Sequence, residues 1–181
     1  LKTLIKNELT EIKENFGEER KSHIIQSSSA KVFSEEETLV TEPITVVLSA
    51  AGWIRSAKGH DIDPSSLTYR GDDILQDFSR GKSNQTAVFL DSNGKAYSLP
   101  SHSLPSARGM GDPISGRVSA DSGVKFISSL IGNDDDKYLI MNSAGFGYIS
   151  EFKNMVSNKK SGRAFMKIPH DADLLRAIKV R

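Results

Sequence analysis

Along residues 1–16 the apolar positions Leu1, Leu4, Ile5, Leu9, Ile12 and Phe16 recur at spacings of three and four, with Lys and Glu between them. That spacing predicts one apolar stripe on an amphipathic helix. Gly17 stands where a left-handed C′ residue would end it, and Glu18-Glu19-Arg20-Lys21 makes a polar exit. The stripe is already under way at Leu1, with no Met and no signal-peptide pattern, so the chain is expected to be a piece of a longer protein, with residues 1–25 the end of a longer helix and its exit. Residues 26–42, with Ser27-Ser28-Ser29 and Glu35-Glu36-Glu37, read as a polar connector with a short helical turn over 35–39.

From Pro43 the texture changes. No helical period survives, and short β-branched or apolar runs alternate with Gly, Asn, Asp and Ser turns, which predicts an all-β body over 43–181. This body repeats itself. Ile44-Thr45-Val46-Val47-Leu48, Thr86-Ala87-Val88-Phe89-Leu90 and Lys137-Tyr138-Leu139-Ile140-Met141 each run into a polar turn closing on Gly52, Gly94 or Gly145. A second strand carrying an aromatic follows each turn: Trp53, Tyr97, and Phe146 with Tyr148. The turn glycine supplies the positive φ of a tight hairpin. A basic-plus-glycine element, Arg70-Gly71, Arg108-Gly109 or Lys160-Ser161-Gly162-Arg163, lies 15 to 19 residues after each hairpin. Units at about 44–85, 86–136 and 137–170, with the opening of a fourth at 171–181, have the size of propeller-like blades, so the array is expected to hold about three.

The net charge of +1 hides an uneven distribution: −3 over residues 1–42, −2 over 43–136 and +6 over 137–181. A basic C-terminal part points to an anionic partner or a solvated face. There are no cysteines, which excludes disulfides, thiol catalysis and cysteine-held zinc. No apolar run is long enough for a spanning helix. Without cysteine or signal, the expected location is cytoplasmic.

Catalytic signatures are missing. His23, His60, His102 and His170 have no partners at metal-ligand spacing, and Asp134-Asp135-Asp136 reads as a solvated turn. Gly81-Lys82-Ser83 lacks the upstream glycine of a phosphate-binding loop, Gln76 standing in its place. Gly109-Met110-Gly111 lacks the third glycine of a dinucleotide fingerprint. Asn84-Gln85-Thr86 fits a glycosylation sequon, which carries no meaning in a cytoplasmic chain. The remaining chemistry is basic: Arg55, Lys58, Arg70, Arg80, Lys82, Lys95, Arg108, Arg117, Lys159, Lys160 and Arg163, with Lys153 and Lys167 nearby. Equivalent loops on repeated blades would line one rim with a curved basic stripe, suited to phosphates and not to base identity. Alternatively these charges only solubilise a propeller-like platform for protein partners.

Residues 44–55 with Ala57-Lys58-Gly59-His60-Asp61, then 84–99, then Leu104-Pro105-Ser106-Ala107-Arg108-Gly109-Met110-Gly111-Asp112-Pro113, closely resemble the C-terminal domains of the bacterial gyrase A and topoisomerase IV A family, on the topoisomerase IV side. Phe16-Gly17-Glu18-Glu19-Arg20-Lys21-Ser22 resembles the exit of that family's helical stalk. The resemblance implies a β-pinwheel, a propeller-like disc whose blades exchange strands, used to bind and bend double-stranded DNA. Tyr69-Arg70-Gly71-Asp72-Asp73 lacks the Gln-Arg-Arg-Gly-Gly-Lys-Gly box of gyrase A, and Arg108-Gly109-Met110-Gly111 and Lys160-Ser161-Gly162-Arg163 are degenerate versions of it, so tight chiral wrapping is not expected. It further implies a parent type II topoisomerase that uses ATP and Mg2+ outside this chain. That parent would pair, through parts outside this chain, with the B subunit of topoisomerase IV and with a second copy of the A subunit. The resemblance also implies, for some bacteria, a contact of this domain with a chromosome-condensing complex. No catalytic residue carries over to this chain.

Overall fold

Each hairpin of the body turns on one polar side chain. Ser49 and Asp91 end the first strands of their hairpins and Asn142 directly follows its own, and their side-chain oxygens accept the N–H groups of Trp53 (3.0 Å), Lys95 (2.8 Å) and Phe146 (3.2 Å), four residues on. Their backbone carbonyls accept the turn-glycine amides, and Gly52, Gly94 and Gly145 have φ of 80°, 78° and 87°. The expected hairpins are therefore present, each with its left-handed glycine.

The computed structural model describes residues 1–18, 22 and 40–180. The chain divides into two units, Leu1–Val32 and Phe33–Arg181. Most of the 26–42 connector, with its helical turn at 35–39, lies outside the described residues, as does most of the polar exit. In the first unit, α1 spans Lys2–Phe16, and Leu4, Ile5, Leu9, Ile12 and Phe16 are all exposed. Gly17 ends the helix differently from expectation. Its φ is −68° and its ψ 125°, extended and not left-handed, with its N–H on Lys13 O at 2.9 Å. Glycine is needed there because a Cβ would collide with the Lys13 carbonyl, not because of its own dihedral angles.

The second unit runs β1 (Pro43–Ser49), β2 (Trp53–Lys58), β3 (Leu75–Lys82), β4 (Thr86–Asp91), β5 (Lys95–Pro100), β6 (Asp112–Pro113), β7 (Phe126–Ile131), β8 (Lys137–Met141), β9 (Gly147–Glu151), β10 (Arg163–Ala164) and β11 (Ile178–Val180). They form three antiparallel sheets, β3-β1-β2-β6, β7-β4-β5-β10 and β11-β8-β9. The fourth strand of each of the first two sheets comes from the following repeat: β6 pairs with β2 (Trp53 with Pro113, Ile54 with Asp112) and β10 with β5 (Lys95 with Ala164, Ala96 with Arg163). This is the strand exchange expected of a pinwheel.

Apolar packing joins the sheets face to face. Ile44, Val46, Leu48 and Ile54 of the first sheet meet Ala87, Phe89, Tyr97 and Ile131 of the second. Val88, Leu90, Ala96 and Leu130, on the other face of that sheet, meet Tyr138 and Ile140 of the third. β4 is thus covered on both faces, and its sequence is a continuous apolar run instead of an alternation. Asp77, 2% exposed, pins three segments together: its carboxylate accepts the Phe78 N–H on its own strand (2.8 Å) and the Ser129 N–H of β7 (2.9 Å), and pairs with Arg176 at 2.6 Å.

The first repeat departs from the other two. Its connection between second and third strands is residues 59–74, against 101–125 and 152–177 later, and it holds no exchanged strand. Arg70-Gly71 consequently lies just before β3, whereas Arg108-Gly109 lies just before β6 and Lys160–Arg163 runs into β10. The basic-glycine repeat seen in sequence is structural for the second and third elements only. The first is a different loop, because the stretch that would hold its counterpart is missing from the shorter connection.

Glycine at the exchange sites is testable. Gly162 has φ of 72°, and an added Cβ would sit 2.7 Å from the Tyr97 ring and 3.0 Å from Ala96 O. Gly123 has φ of 81° with open space around it. Gly162→Ala is expected to cost roughly 2–4 kcal/mol, left-handed strain plus overpacking, against about 1 kcal/mol for Gly123→Ala. Urea unfolding of both variants measures the difference.

Candidate nucleic-acid interface

The exchanged segments carry Arg108, Lys159, Lys160 and Arg163 with them. Residues 105–107 lie along β2, Ser56 N–H donating to Pro105 O (2.7 Å) and Ala107 N–H to Ser56 O (2.9 Å). On the next sheet Ser157 N–H donates to Ser98 Oγ (2.8 Å), and Phe165 N–H to Gly94 O (2.9 Å). Gly111 (φ 89°) presses on Ile54 O as Gly162 presses on Ala96 O, and Ile54 and Ala96 hold the same place past their turn glycines. Counting back from these glycines, Arg108 and Lys159 occupy equivalent positions on successive sheets.

Both are exposed. Arg108 shares a cleft of about 480 Å3 with Lys58, Ala57 and Leu67. Lys159 shares one of about 320 Å3 with Lys160, Arg117 and Ser98. Among the described residues Arg70, Arg80, Lys82, Arg108, Lys159, Lys160 and Arg163 are exposed and have no carboxylate within ion-pair distance. Arg70 lies over the Trp53 ring, 5.0 Å from its centroid.

Four sequence candidates are placed otherwise. Lys58 pairs with Glu42 (2.8 Å), Lys95 with Asp121 (2.7 Å) and Arg117 with Asp112 (2.7 Å). Arg117 also donates to Ser103 O at 2.9 Å. Arg55 is only 4% exposed, and its Nη1 donates to Gly109 O at 3.1 Å. A surface phosphate contact was expected of it. The structure buries it instead, because Tyr69 and the Gly109 segment close over its strand face. Arg80 and Lys82 lie on β3, at the opposite edge of the first sheet from β6. One shared rim therefore does not hold all eleven residues. Sequence reasoning missed Arg176, whose charge is bound to the buried Asp77, and Lys179, paired with Asp136 at 2.7 Å. Neither carries a local signal, since both partners are distant in sequence.

Burial pushes the phenols of Tyr69, Tyr97, Tyr138 and Tyr148 up, away from activation, and the Asp91 carboxylate pushes Tyr97 further. Among the described residues, no group of three or more His, Asp or Glu side chains converges. His60 is tied to Gly81 O at 2.9 Å, His170 lies exposed beside Asp171, and His23 falls outside the described residues. Asp136 of the acidic turn accepts the Asn133 N–H, and Ser83 of the Gly81-Lys82-Ser83 stretch donates to Val40 O. No helix among the described residues is long and apolar enough to cross a membrane.

No family model matches the chain. It is 42% identical over 181 residues to the A subunit of DNA topoisomerase 4 from Pseudomonas aeruginosa, and 39% over 176 residues to that from Haemophilus influenzae, covering 100% and 97% of this chain and 24% of each relative. The chain thus spans about a quarter of the length of the curated relatives it matches. Among solved structures it is similar to the E. coli ParC C-terminal domain, with TM-score 0.71 and 40% identity over 77% of this chain and 57% of that one. The DNA gyrase A C-terminal domain shares the fold at TM-score 0.56 and 16% identity, over 77% of this chain and 48% of that one.

The buried phenols set an alkaline limit on stability. Tyr138, donating to Ile131 O at 2.9 Å, is pushed up to about 12 from an ordinary 10.0, by burial first and the Asp136 charge second. Because the folded state holds this proton more tightly, the associated stability is complete below pH 10 and is lost as pH rises toward 12. Urea midpoints should fall across that window, and Tyr138→Phe should flatten the fall while costing about 1 kcal/mol at neutral pH for the missing hydrogen bond.

Proposed function

The chain belongs with the C-terminal domains of the DNA topoisomerase 4 A subunits, and from that premise we propose that it is a non-catalytic module that holds and bends duplex DNA for a type II topoisomerase. The observation that carries this reading is the equivalence of Arg108 and Lys159. Two exposed cations, with no carboxylate among the described residues within ion-pair distance, are presented at the same place on successive sheets by segments anchored through left-handed glycines. A repeated cation on a repeated scaffold suits a polymer with a repeated charge, and duplex DNA carries its phosphates in that way.

Arg70 on Trp53, and Lys160 and Arg163 beside Lys159, extend the positive surface. Interactions of this kind position a duplex without reading its bases. Cations repeated on successive sheets would favour a bent path, each further phosphate neutralised helping to offset the elastic cost of the bend. Strand cleavage, ATP binding and Mg2+ chemistry would reside in other parts of the enzyme, assembled in the cytoplasm from the B subunit together with two copies of the A subunit. The upward-shifted phenols of the buried Tyr97 and Tyr138 fit that division of labour.

Gel shifts with several unrelated duplexes, from 50 to 200 mM salt, test the reading. Affinity should fall as a power of salt concentration, with similar values for every sequence. Arg108→Ala, Lys159→Ala, Lys160→Ala and Arg163→Ala should each weaken all duplexes alike and lower the salt slope by about 0.9 for each phosphate no longer neutralised. Salt-independent binding, or preference for one sequence, would overturn the proposal. Incubated with supercoiled plasmid, ATP and Mg2+, the chain alone should leave topology unchanged, and a covalent tyrosine–DNA adduct would contradict its assignment as a binding module.

A further inference from the structure

We propose that Arg55 is a positioning residue, whose buried guanidinium ties the connection ahead of β3 to the segment carrying Arg108 and so fixes where the Arg108 charge is presented. The inference rests on the DNA-binding reading for its consequence but not for its geometry. Arg55 stands three residues past its turn glycine, the place that Tyr97 holds in the second sheet and Tyr148 in the third. Tyr97 keeps its polar end inside its own hairpin, its hydroxyl meeting Asp91 at 3.0 Å. Arg55 has no such partner, because the first hairpin has Ser49 where the second has Asp91, and the Ser49 hydroxyl is taken by the Trp53 N–H.

The guanidinium reaches outward in two directions. Its Nη1 donates to Gly109 O, next to Arg108, at 3.1 Å. Its Cζ lies over the Tyr69 ring, 4.6 Å from the centroid, next to Arg70. Tyr69 is itself fixed by its hydroxyl on Pro64 O at 2.7 Å. The other terminal nitrogen, Nη2, is buried without a hydrogen-bond partner. A buried charge with no carboxylate and one unsatisfied donor is unfavourable for stability alone. What the arrangement obtains in return is two directed interactions, and both end on loops that bear exposed arginines. Only a planar group can stack through its face and donate through its edge at once, so lysine cannot replace it.

Gly111 completes the clamp. An added Cβ there would lie 2.5 Å from Ile54 O and 3.3 Å from Arg55 Cβ, so the segment can lie this close to β2 only with glycine. Residues 109–111 are therefore held to Arg55's strand at two points: through the carbonyl of Gly109 by the guanidinium, and through the bare Cα of Gly111 by the backbone.

The test uses this chain with Arg55→Met and Arg55→Lys, each measured with and without Arg108→Ala. Without DNA, amide exchange across residues 107–111 should speed by about tenfold in both Arg55 variants, while exchange across β4 stays unchanged. Toward a plain duplex, Arg55→Met should lose as much affinity as Arg108→Ala, lower the salt slope by about 0.9, and add nothing further in the double variant. Unchanged exchange over 107–111, or affinity losses that add in full, would overturn the proposal. Should Arg55→Met fail to fold, Arg55→Lys keeps charge and bulk, and the same loop readout decides. If the parent chain binds no duplex, the DNA-binding reading falls while the exchange measurement still decides the role of Arg55.

Discussion

Completion of each of the first two sheets by a strand from the next repeat is the constraint on which the rest depends. An outer strand such as β2 or β5 leaves a row of backbone donors and acceptors unpaired until another strand arrives. For β2 that strand is Asp112–Pro113, and for β5 it is Arg163–Ala164. No sheet of the first two is finished by its own repeat, so neither the second nor the third repeat can be removed without opening the sheet before it. The pairing is non-local, joining residue 53 to residue 113, and must be reached against loop-closure entropy. The third sheet shows what exchange contributes. β9 takes no exchanged strand among the described residues, and Phe146 just before it and Ile149 within it are 66% and 56% exposed. Tyr97 and Tyr148 hold the same place past their turns, yet Tyr97 is wholly buried under Gly162 and Tyr148 is exposed.

The same constraint organises the charges. Interior carboxylates are used as joints: Asp77 fastens three segments, and Asp91 closes a hairpin while accepting the Tyr97 hydroxyl. Several cations near these joints are neutralised in place, Arg176 on Asp77 and Lys179 on Asp136. Exposed pairs such as Lys58 with Glu42 contribute little to stability, since solvent screens them and two flexible side chains must be ordered. The cations left without carboxylates include those that travel with the exchanged segments. Strand exchange therefore does two things at once, closing the backbone ladder and setting a basic residue at a repeated place on the surface.

The tyrosines illustrate how the site and the core compete for one kind of residue. A phenol that packs between sheets loses hydration, and its ionised form becomes harder to reach. Tyr138 and Tyr97 are both held this way, one on Ile131 O and the other on Asp91. Arg55 answers the same positional demand with a cation instead of an aromatic. It thereby trades a partner inside its own hairpin for partners on two loops.

Much of this was legible in the sequence because it is local. A turn that needs positive φ selects glycine, and a strand covered on both faces reads as an unbroken apolar run, so three hairpins and an all-β body follow from neighbouring residues alone. Gly17 marked the end of α1 correctly, although the close Lys13 carbonyl and not a left-handed backbone is what requires it. The wording of residues 104–113 was enough to indicate the family. Tertiary structure decided what depends on distant partners: that β6 and β10 belong to the preceding sheets, that Arg70-Gly71 is not the counterpart of Arg108-Gly109, and that Arg55 is buried while Arg108 is not. Local pattern cannot carry these, because an arginine on a strand looks the same in sequence whether solvent or a returning segment covers it. Only the pairing of residues sixty positions apart settles which it is.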